Sequence, residues 1–258
     1  MNKQDTLFVG SLEKGLRVLD AFRRHPESLG ITEIARATGL DKSAAQRFTT
    51  TLHRLGYLER DPQTRRYSPA LRLMDFSYAY LRHDRLAEIA VARLIEASKA
   101  FGSTANLCRL EGTDIIYTVR IPHENATYPA TIPGRRMPAF CTSGGMAILA
   151  HRPAADAEAV IAGAERRALT EHTITEPDGI RDRIAQVREL GYAIGVSQSW
   201  PNEISIAAPV VDDRGLGIAA VQFPVYMPRW TAEEAVDKIA PLAMDTARAI
   251  SGSLHRGS

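Results

Sequence analysis

Residues Ile31–Asp61 read ITEIARATGLDKSAAQRFTTTLHRLGYLERD, and this stretch decides how the N-terminal part of the chain folds. Thr32 reads as the cap of a short helix that carries Ile34, Ala35 and Thr38. Gly39-Leu40 follows as a turn, where glycine accepts a left-handed backbone and Leu40 plugs a small core. Asp41 caps the next helix, whose Ala45, Phe48, Leu52 and Leu55 recur at spacings of 3, 4 and 3 and are expected to face inward. Gly56 stands where a helix-ending glycine belongs. Tyr57–Arg60 and Arg66–Ser68 then read as two short strands around the loop Asp61–Arg65. The pattern is a helix-turn-helix followed by a hairpin wing.

With those apolar residues inward, Lys42, Ser43, Gln46, Arg47, Thr50 and Arg54 line the outward face of the second helix of the pair. That set suits double-stranded DNA. Gln pairs bidentately with adenine and Arg with guanine, while Ser, Thr and Lys suit phosphates. Arg65 and Arg66 place two further cations at the wing. Arg54 has a second reading, because a cation near a helix C-terminus also compensates the dipole.

Working outward, Ser11 reads as the cap of a first helix over 11–24, with Leu12, Leu16, Leu19 and Phe22 on one face and residues 1–10 as an arm before it. The stretch 26–30, with a proline and a glycine, ends it. Pro69 is expected to open a linker helix to about Leu81, with Leu71, Met74, Tyr78 and Leu81 available for packing, and a longer helix follows over 84–101. From Thr104 strands are expected at 104–111, 114–120, 191–197, 203–212 and 216–224, interleaved with helices near 143–151, 154–163, 177–190 and 231–251. Asp212-Asp213-Arg214-Gly215 is a hairpin turn between two of those strands. The fold class is α+β: a winged helix-turn-helix over 8–68, a linker helix over 69–82, and an α/β domain with an antiparallel sheet over 83–254.

Length and composition agree. The 258 residues fit one or two domains, and 45% apolar content supports a sizeable core. The net charge of +2 excludes a uniformly basic coat, but residues 1–80 carry 13 basic against 9 acidic side chains, so positive charge is biased to the N-terminus. Two cysteines, Cys108 and Cys141, make no disulfide scaffold or zinc spacing. No apolar run approaches a membrane span and Met1–Gly10 is no signal peptide, so a cytoplasmic protein without a cofactor is expected.

Cys141 beside Thr142-Ser143-Gly144-Gly145 invites a nucleophile reading, and with it a small-molecule enzyme carrying an accessory winged domain. A base is missing: His151 lies two turns along the same helix, and His123 and His172 lie in loops. A metal set of His123, Glu124 and His172 has no ligand spacing behind it. A third reading is an architectural DNA protein without an effector, which leaves the large second domain without a purpose.

The segments SLEKGLRVLDAF, GITEIARATGLDKSAAQRFTTTLHRLGYLERD, PAFCTSGGMAILA and the run VRELGYAI, ISIAAPVVDDRG, IAAVQF stand in order along the chain. Together they resemble the IclR-type transcriptional regulators, from about Ser11 to Ser251. The PAFCTSGG stretch is similar to the branch regulating catabolism of aromatic acids. The resemblance implies a winged DNA-binding domain, a linker helix, a GAF-like effector domain, operator binding as a homodimer or homotetramer, and modulation by a small organic acid or aromatic compound. It implies an effector site at Cys141, Ser143, Gly144 and Gly145, with Ser143 and Gly144 as backbone donors. The free N–H groups of a helix start favour a carboxylate there. It also carries polar contacts onto Ser205 and Gln222. This chain departs from the pattern at Gly195, where some members have an acidic contact, and at Pro224, where some have a serine. Met137, Phe140 and Ile148 are expected as an apolar wall, and Trp200 as packing or as a stacking surface for an aromatic ring.

Overall fold

The computed structural model describes residues 7–23, 25, 27–123 and 132–255. Contacts divide the chain into two compact units, Met1–Arg82 and His83–Ser258.

The first unit holds α1 (Gly10–Arg23), α2 (Ile31–Thr38), α3 (Lys42–Arg54), β1 (Leu58–Arg60) and β2 (Tyr67–Pro69). Val18, Phe22, Leu29, Ile34, Ala45, Leu58 and Tyr67 form its core. The α2–α3 turn is made as the sequence predicts. Gly39 is left-handed at φ 68°, and the Asp41 carboxylate accepts the Ala44 N–H at 2.8 Å. β1 and β2 pair antiparallel, and Leu29 bridges to Tyr67 as a third edge. The unit continues through a 3-10 turn at Leu71–Leu73 into α4 (Met74–His83).

Four expectations are corrected here. Ser11 lies inside α1, which starts at Gly10, while residue 24 and residues 1–6 lie outside the described residues. Thr32 lies inside α2; the cap position is Gly30, and its N–H donates to the Glu33 carboxylate at 2.7 Å. Leu55 is half exposed, because α3 has already ended at Arg54; Thr49, not Leu55, is buried beside Ala45. Pro69 closes β2 instead of opening a helix, at the edge of a two-stranded ribbon where a missing N–H costs no ladder bond.

The second unit is built on a six-stranded antiparallel sheet of order β5-β4-β3-β8-β7-β6. Its strands are β3 (Ala105–Glu111), β4 (Asp114–Ile121), β5 (Arg136–Pro138), β6 (Ala193–Val196), β7 (Glu203–Val211) and β8 (Gly217–Tyr226). The helices are α5 (Arg85–Phe101), α6 (Ser143–Ala150), α7 (Ala154–Gly163), α8 (Pro177–Leu190) and α9 (Ala232–His255). α5 and α9 cover one face, packing on Leu107, Ile204, Ile206, Val221 and Phe223. α6, α7 and α8 cover the other, over Cys108, Ile115, Ala207 and Ala220. Central strands buried on both faces read as nearly continuous apolar runs, which explains EISIAAPVV in β7. The β7–β8 turn forms as expected, with the Asp212 carboxylate accepting from Arg214 and Leu216 N–H and Gly215 at φ 76°. β5 was not expected from the sequence. It is a three-residue edge strand ending in proline, too short for alternation to register.

Candidate functional site

Two side-chain constellations stand out, one in each unit. On the first, Lys42, Ser43, Gln46, Arg47 and Arg54 are exposed along α3, and Thr50 is half-buried. Gln46 Nε2 donates to Thr50 Oγ1 at 3.2 Å, one turn apart, which aligns the amide along the helix. Thr51 Oγ1 donates to the Arg47 carbonyl, so this hydroxyl is turned back onto the backbone. Arg65 sits exposed at the tip of the wing in a left-handed conformation, φ 57°.

Arg66 differs from its neighbour. Its guanidinium pairs with Glu33 at 2.8 Å and donates to the Ser28 carbonyl and hydroxyl. The Gly30 N–H and the Arg66 guanidinium together hold the Glu33 carboxyl below the usual range. Arg66 therefore ties the wing to the start of α2, a structural role beside the DNA contact expected of it. Arg47→Ala should weaken binding to a specific site by about 1–3 kcal/mol, the worth of one bidentate base contact, with thermal stability unchanged. Arg66→Ala should instead lower the melting temperature of the first unit. Anisotropy titrations paired with thermal melts separate the two, and equal loss of affinity without loss of stability in both variants would reject the division of roles.

In the second unit a chain of buried polar side chains runs across the sheet to the N-terminus of α6. Asn106 Nδ2 donates to Gln222 Oε1 at 2.7 Å, and Gln222 Nε2 donates to Ser205 Oγ at 2.5 Å. Ser205 Oγ lies 2.6 Å from Ser143 Oγ. All four residues are buried. The direction of donation matters. Either hydroxyl can be the donor in the Ser205–Ser143 pair, since Ser205 has a second lone pair after accepting from Gln222; where Ser205 donates, the Ser143 hydroxyl keeps its own hydrogen to donate onward. Beside it, the N–H groups of Ser143 and Gly144 are the first two of α6 and lie outside its internal ladder. A buried cluster of donors at a helix start is a site for an anion.

The structure brings Ser143, Ser205 and Gln222 together, with Gly195 paired directly opposite Ser205 on β6. Asn106 joins them. It was not among the sequence-predicted residues, since an asparagine in a strand gives no signal until the β3–β8 register sets it opposite Gln222. The two glycines also serve packing. A Cβ on Gly144 would stand 2.4 Å from Cys108 Sγ, and one on Gly145 would stand 2.1 Å from the Ala139 carbonyl oxygen. The Gly145 N–H is already taken by the Thr142 hydroxyl cap at 3.2 Å.

Met137, Phe140, Cys141 and Ile148 lie in the apolar cluster under α6, outside the polar chain. Burial pushes the Cys141 thiol up to about 12. The thiolate that a nucleophile needs is therefore absent at neutral pH, and His151 caps the far end of the same helix. Trp200 is half-buried, packs on that cluster, and has the Arg135 guanidinium 4.6 Å above its ring. Of the metal set, Glu124 lies outside the described residues, and no group of acidic, histidine or cysteine side chains among the described ones is placed to hold a metal ion.

The family model for the IclR helix-turn-helix domain matches residues 11–62, and that for the bacterial transcriptional regulator IclR C-terminal domain matches residues 78–252. The chain belongs to the IclR family. The Pca regulon regulatory protein of Pseudomonas putida is 31% identical over 249 residues, covering 95% of this chain and 84% of that one. The p-hydroxybenzoate hydroxylase transcriptional activator of Acinetobacter baylyi is 28% identical, over 93% of this chain and 90% of that one. A regulator from Rhodococcus sp. RHA1 of known crystal structure superposes with a TM-score of 0.79 at 29% identity, over 97% of this chain and all of that one. As an IclR-family member the chain is a DNA-binding transcriptional regulator with an effector domain, not an enzyme, and α1, α2 and α3 belong to its DNA-binding head. No helix of the described residues is long and apolar enough to cross a membrane.

Proposed function

We propose that this IclR-family chain controls a catabolic operon in response to a small organic acid, an aromatic acid by preference. The carrying observation is the polar chain Asn106–Gln222–Ser205–Ser143, which ends in donors at the start of α6. A carboxylate fits that end, and the apolar cluster around Phe140 and Ile148 fits the body of the ligand. The relatives named for the Pca regulon and for p-hydroxybenzoate hydroxylase support an aromatic acid.

In this reading residues 8–68 are the DNA head, 69–82 the linker and 83–254 the effector domain, and the protein works in the cytoplasm. Gln46 and Arg47 read bases, while Lys42, Ser43, Thr50, Arg54 and Arg65 contact phosphates or a groove edge. The assembly is a homodimer or homotetramer. Leu12 and Leu16 on α1, and Met74, Phe76, Tyr78 and Tyr80 on α4, are exposed apolar residues that a second copy would cover. The effector acts by binding one arrangement of the paired heads more tightly; a tenfold preference supplies about 1.4 kcal/mol of coupling.

Fluorescence anisotropy against DNA from upstream of the gene, at several salt concentrations and with a panel of aromatic and aliphatic acids, tests this. Selective binding that weakens with salt and shifts with one acid is expected. Selective binding that no acid shifts would overturn the pocket chemistry and leave the regulator.

A further inference from the structure

Three side chains outside the core of the first unit, those of Tyr57, Arg72 and Phe76, meet at the C-terminal end of α3. The helix closes on its own backbone there. Leu55 N–H donates to the Thr51 carbonyl, Gly56 N–H to that of His53 and Tyr57 N–H to that of Leu52, with Gly56 left-handed at φ 79°. The Leu55 carbonyl is taken from 17 residues along the chain, where Arg72 Nη1 donates to it at 2.6 Å. Arg72 lies in the 3-10 turn that leads into α4, and its guanidinium stands 5.0 Å from the centre of the Tyr57 ring. Phe76, in the first turn of α4, packs against the same ring at 5.9 Å. Ala70 N–H donates to the Tyr57 carbonyl at 3.0 Å. The start of the linker is thus fastened to the end of α3 at Ala70, Arg72 and Phe76.

This clasp adds little to the fold of the unit. Arg72 and Phe76 are exposed and Tyr57 is half-buried, apart from the core built on Val18, Ile34, Ala45 and Leu58. What the clasp fixes is a direction. A cation at a helix C-terminus complements the dipole, and a planar guanidinium stacks on an aromatic face. Arg72 makes both contacts at once, one to backbone and one to a ring, so α3 and the first turn of the linker turn as one body.

We propose that Arg72 is a positioning residue for sequence-specific DNA binding: through Leu55 and Tyr57 it locks α3 to the linker, and the linker thereby sets the angle at which α3 meets the bases. The inference rests on the reading of Gln46 and Arg47 as base contacts and of paired heads joined through their linkers. Base readout requires one pose of the helix in the groove, whereas phosphate contacts alone tolerate several. A loosened clasp adds freedom that a specific complex must freeze and a non-specific one need not. A positioning role therefore costs specific affinity alone. A direct phosphate contact by Arg72 costs both kinds of affinity and lowers the salt slope by about one.

Fluorescence anisotropy of the full chain tests this with two duplexes, one that the wild-type chain enriches from random-sequence DNA and a shuffled version of it, at several salt concentrations. Thermal melts establish that each variant is folded at the assay temperature. Arg72→Ala should bind the enriched duplex about 10-fold more weakly, within the range of one mismatched base pair, and should keep its affinity for the shuffled duplex and its salt slope. Tyr57→Leu removes the ring without changing charge and should give the same loss. The double variant should lose little more than either single one, because both break one clasp. Tyr57→Phe keeps the ring and should bind as wild type, and Arg72→Lys, which keeps the cation without the planar stack, should fall between. Weakening on both duplexes, full affinity of Arg72→Ala for the enriched duplex, or a variant unfolded at the assay temperature overturns the positioning role and leaves α3 as the reading helix. Failure of the wild-type chain to enrich any duplex overturns the base-contact reading itself, and the positioning role with it.

Discussion

Gly145→Ala should destabilise the effector domain by about 3 kcal/mol or more, the upper range for overpacking a filled core. The cause is geometric. A Cβ at this position would stand 2.1 Å from the Ala139 carbonyl oxygen, 2.5 Å from its Cα and 2.6 Å from its carbonyl carbon. All three are backbone atoms of the 3-10 turn Ala139–Cys141 that feeds α6, so no rotamer change relieves the clash. Gly144→Ala is a milder case, because the obstacle there is the Cys108 side chain, which Cys108→Ala would clear. The pair should therefore be non-additive, with the double variant more stable than the sum of the singles implies. Gly252→Ala is the control. Gly252 lies in α9 with nothing within 4 Å of a built Cβ, and alanine there should stabilise by about 0.5–1 kcal/mol. Urea unfolding of the five variants, Cys108→Ala included, decides it. A Gly145→Ala domain that unfolds at the wild-type midpoint and loses only effector binding would make ligand approach the reason for the glycine.

That contrast marks where the sequence was legible and where it was not. Local signals carried far. Asp41, Gly39 and Gly56 bounded α3, Asp212 and Gly215 made the β7–β8 turn, and apolar runs located β3, β4, β7 and β8 to within two residues. These features depend on neighbours within one turn of chain. What stayed hidden lies where the deciding contact is remote. The Arg65-Arg66 pair looks equivalent in sequence, yet only Arg66 meets Ser28 and Glu33, 38 and 33 residues away. Ser143, Ser205 and Gln222 came from the family resemblance, and neither spacing nor periodicity joins them. The bond that completes their chain links Asn106 to Gln222 across 116 residues, and its partner is known only once β3 lies beside β8. Glu203 carried a weaker signal that was available: it alternates with Ser205 on a strand otherwise apolar, which puts a carboxyl on the pocket face.

The same carboxyl makes the stability of the effector domain depend on pH in an unusual direction. Glu203 is raised from the ordinary carboxylate range to about 7, first by burial, against smaller lowering effects from the Tyr226 hydrogen bond and from Arg135. In the unfolded chain it releases its proton near pH 4.5, while in the folded domain it keeps it to about pH 7. Between those values the folded state binds more protons than the unfolded one, so stability falls as pH rises. The contribution is fully present below about pH 4.5 and lost by about pH 8. A rise of this size corresponds to about 3 kcal/mol, an order-of-magnitude figure for a buried group. Glu203→Gln removes the titrating proton and keeps the shape and the acceptor for Tyr226. Wild type and variant should therefore have similar unfolding free energies at pH 5, and the variant should be the more stable by a few kcal/mol at pH 8. Other carboxylates titrate in both proteins and cancel in the difference. Urea unfolding of the effector domain at pH 5, 6, 7 and 8 gives that difference directly. A gap that stays constant with pH would mean that Glu203 is ionised in the folded domain throughout. The Tyr226 hydrogen bond would then serve a carboxylate held in its charged form by Arg135.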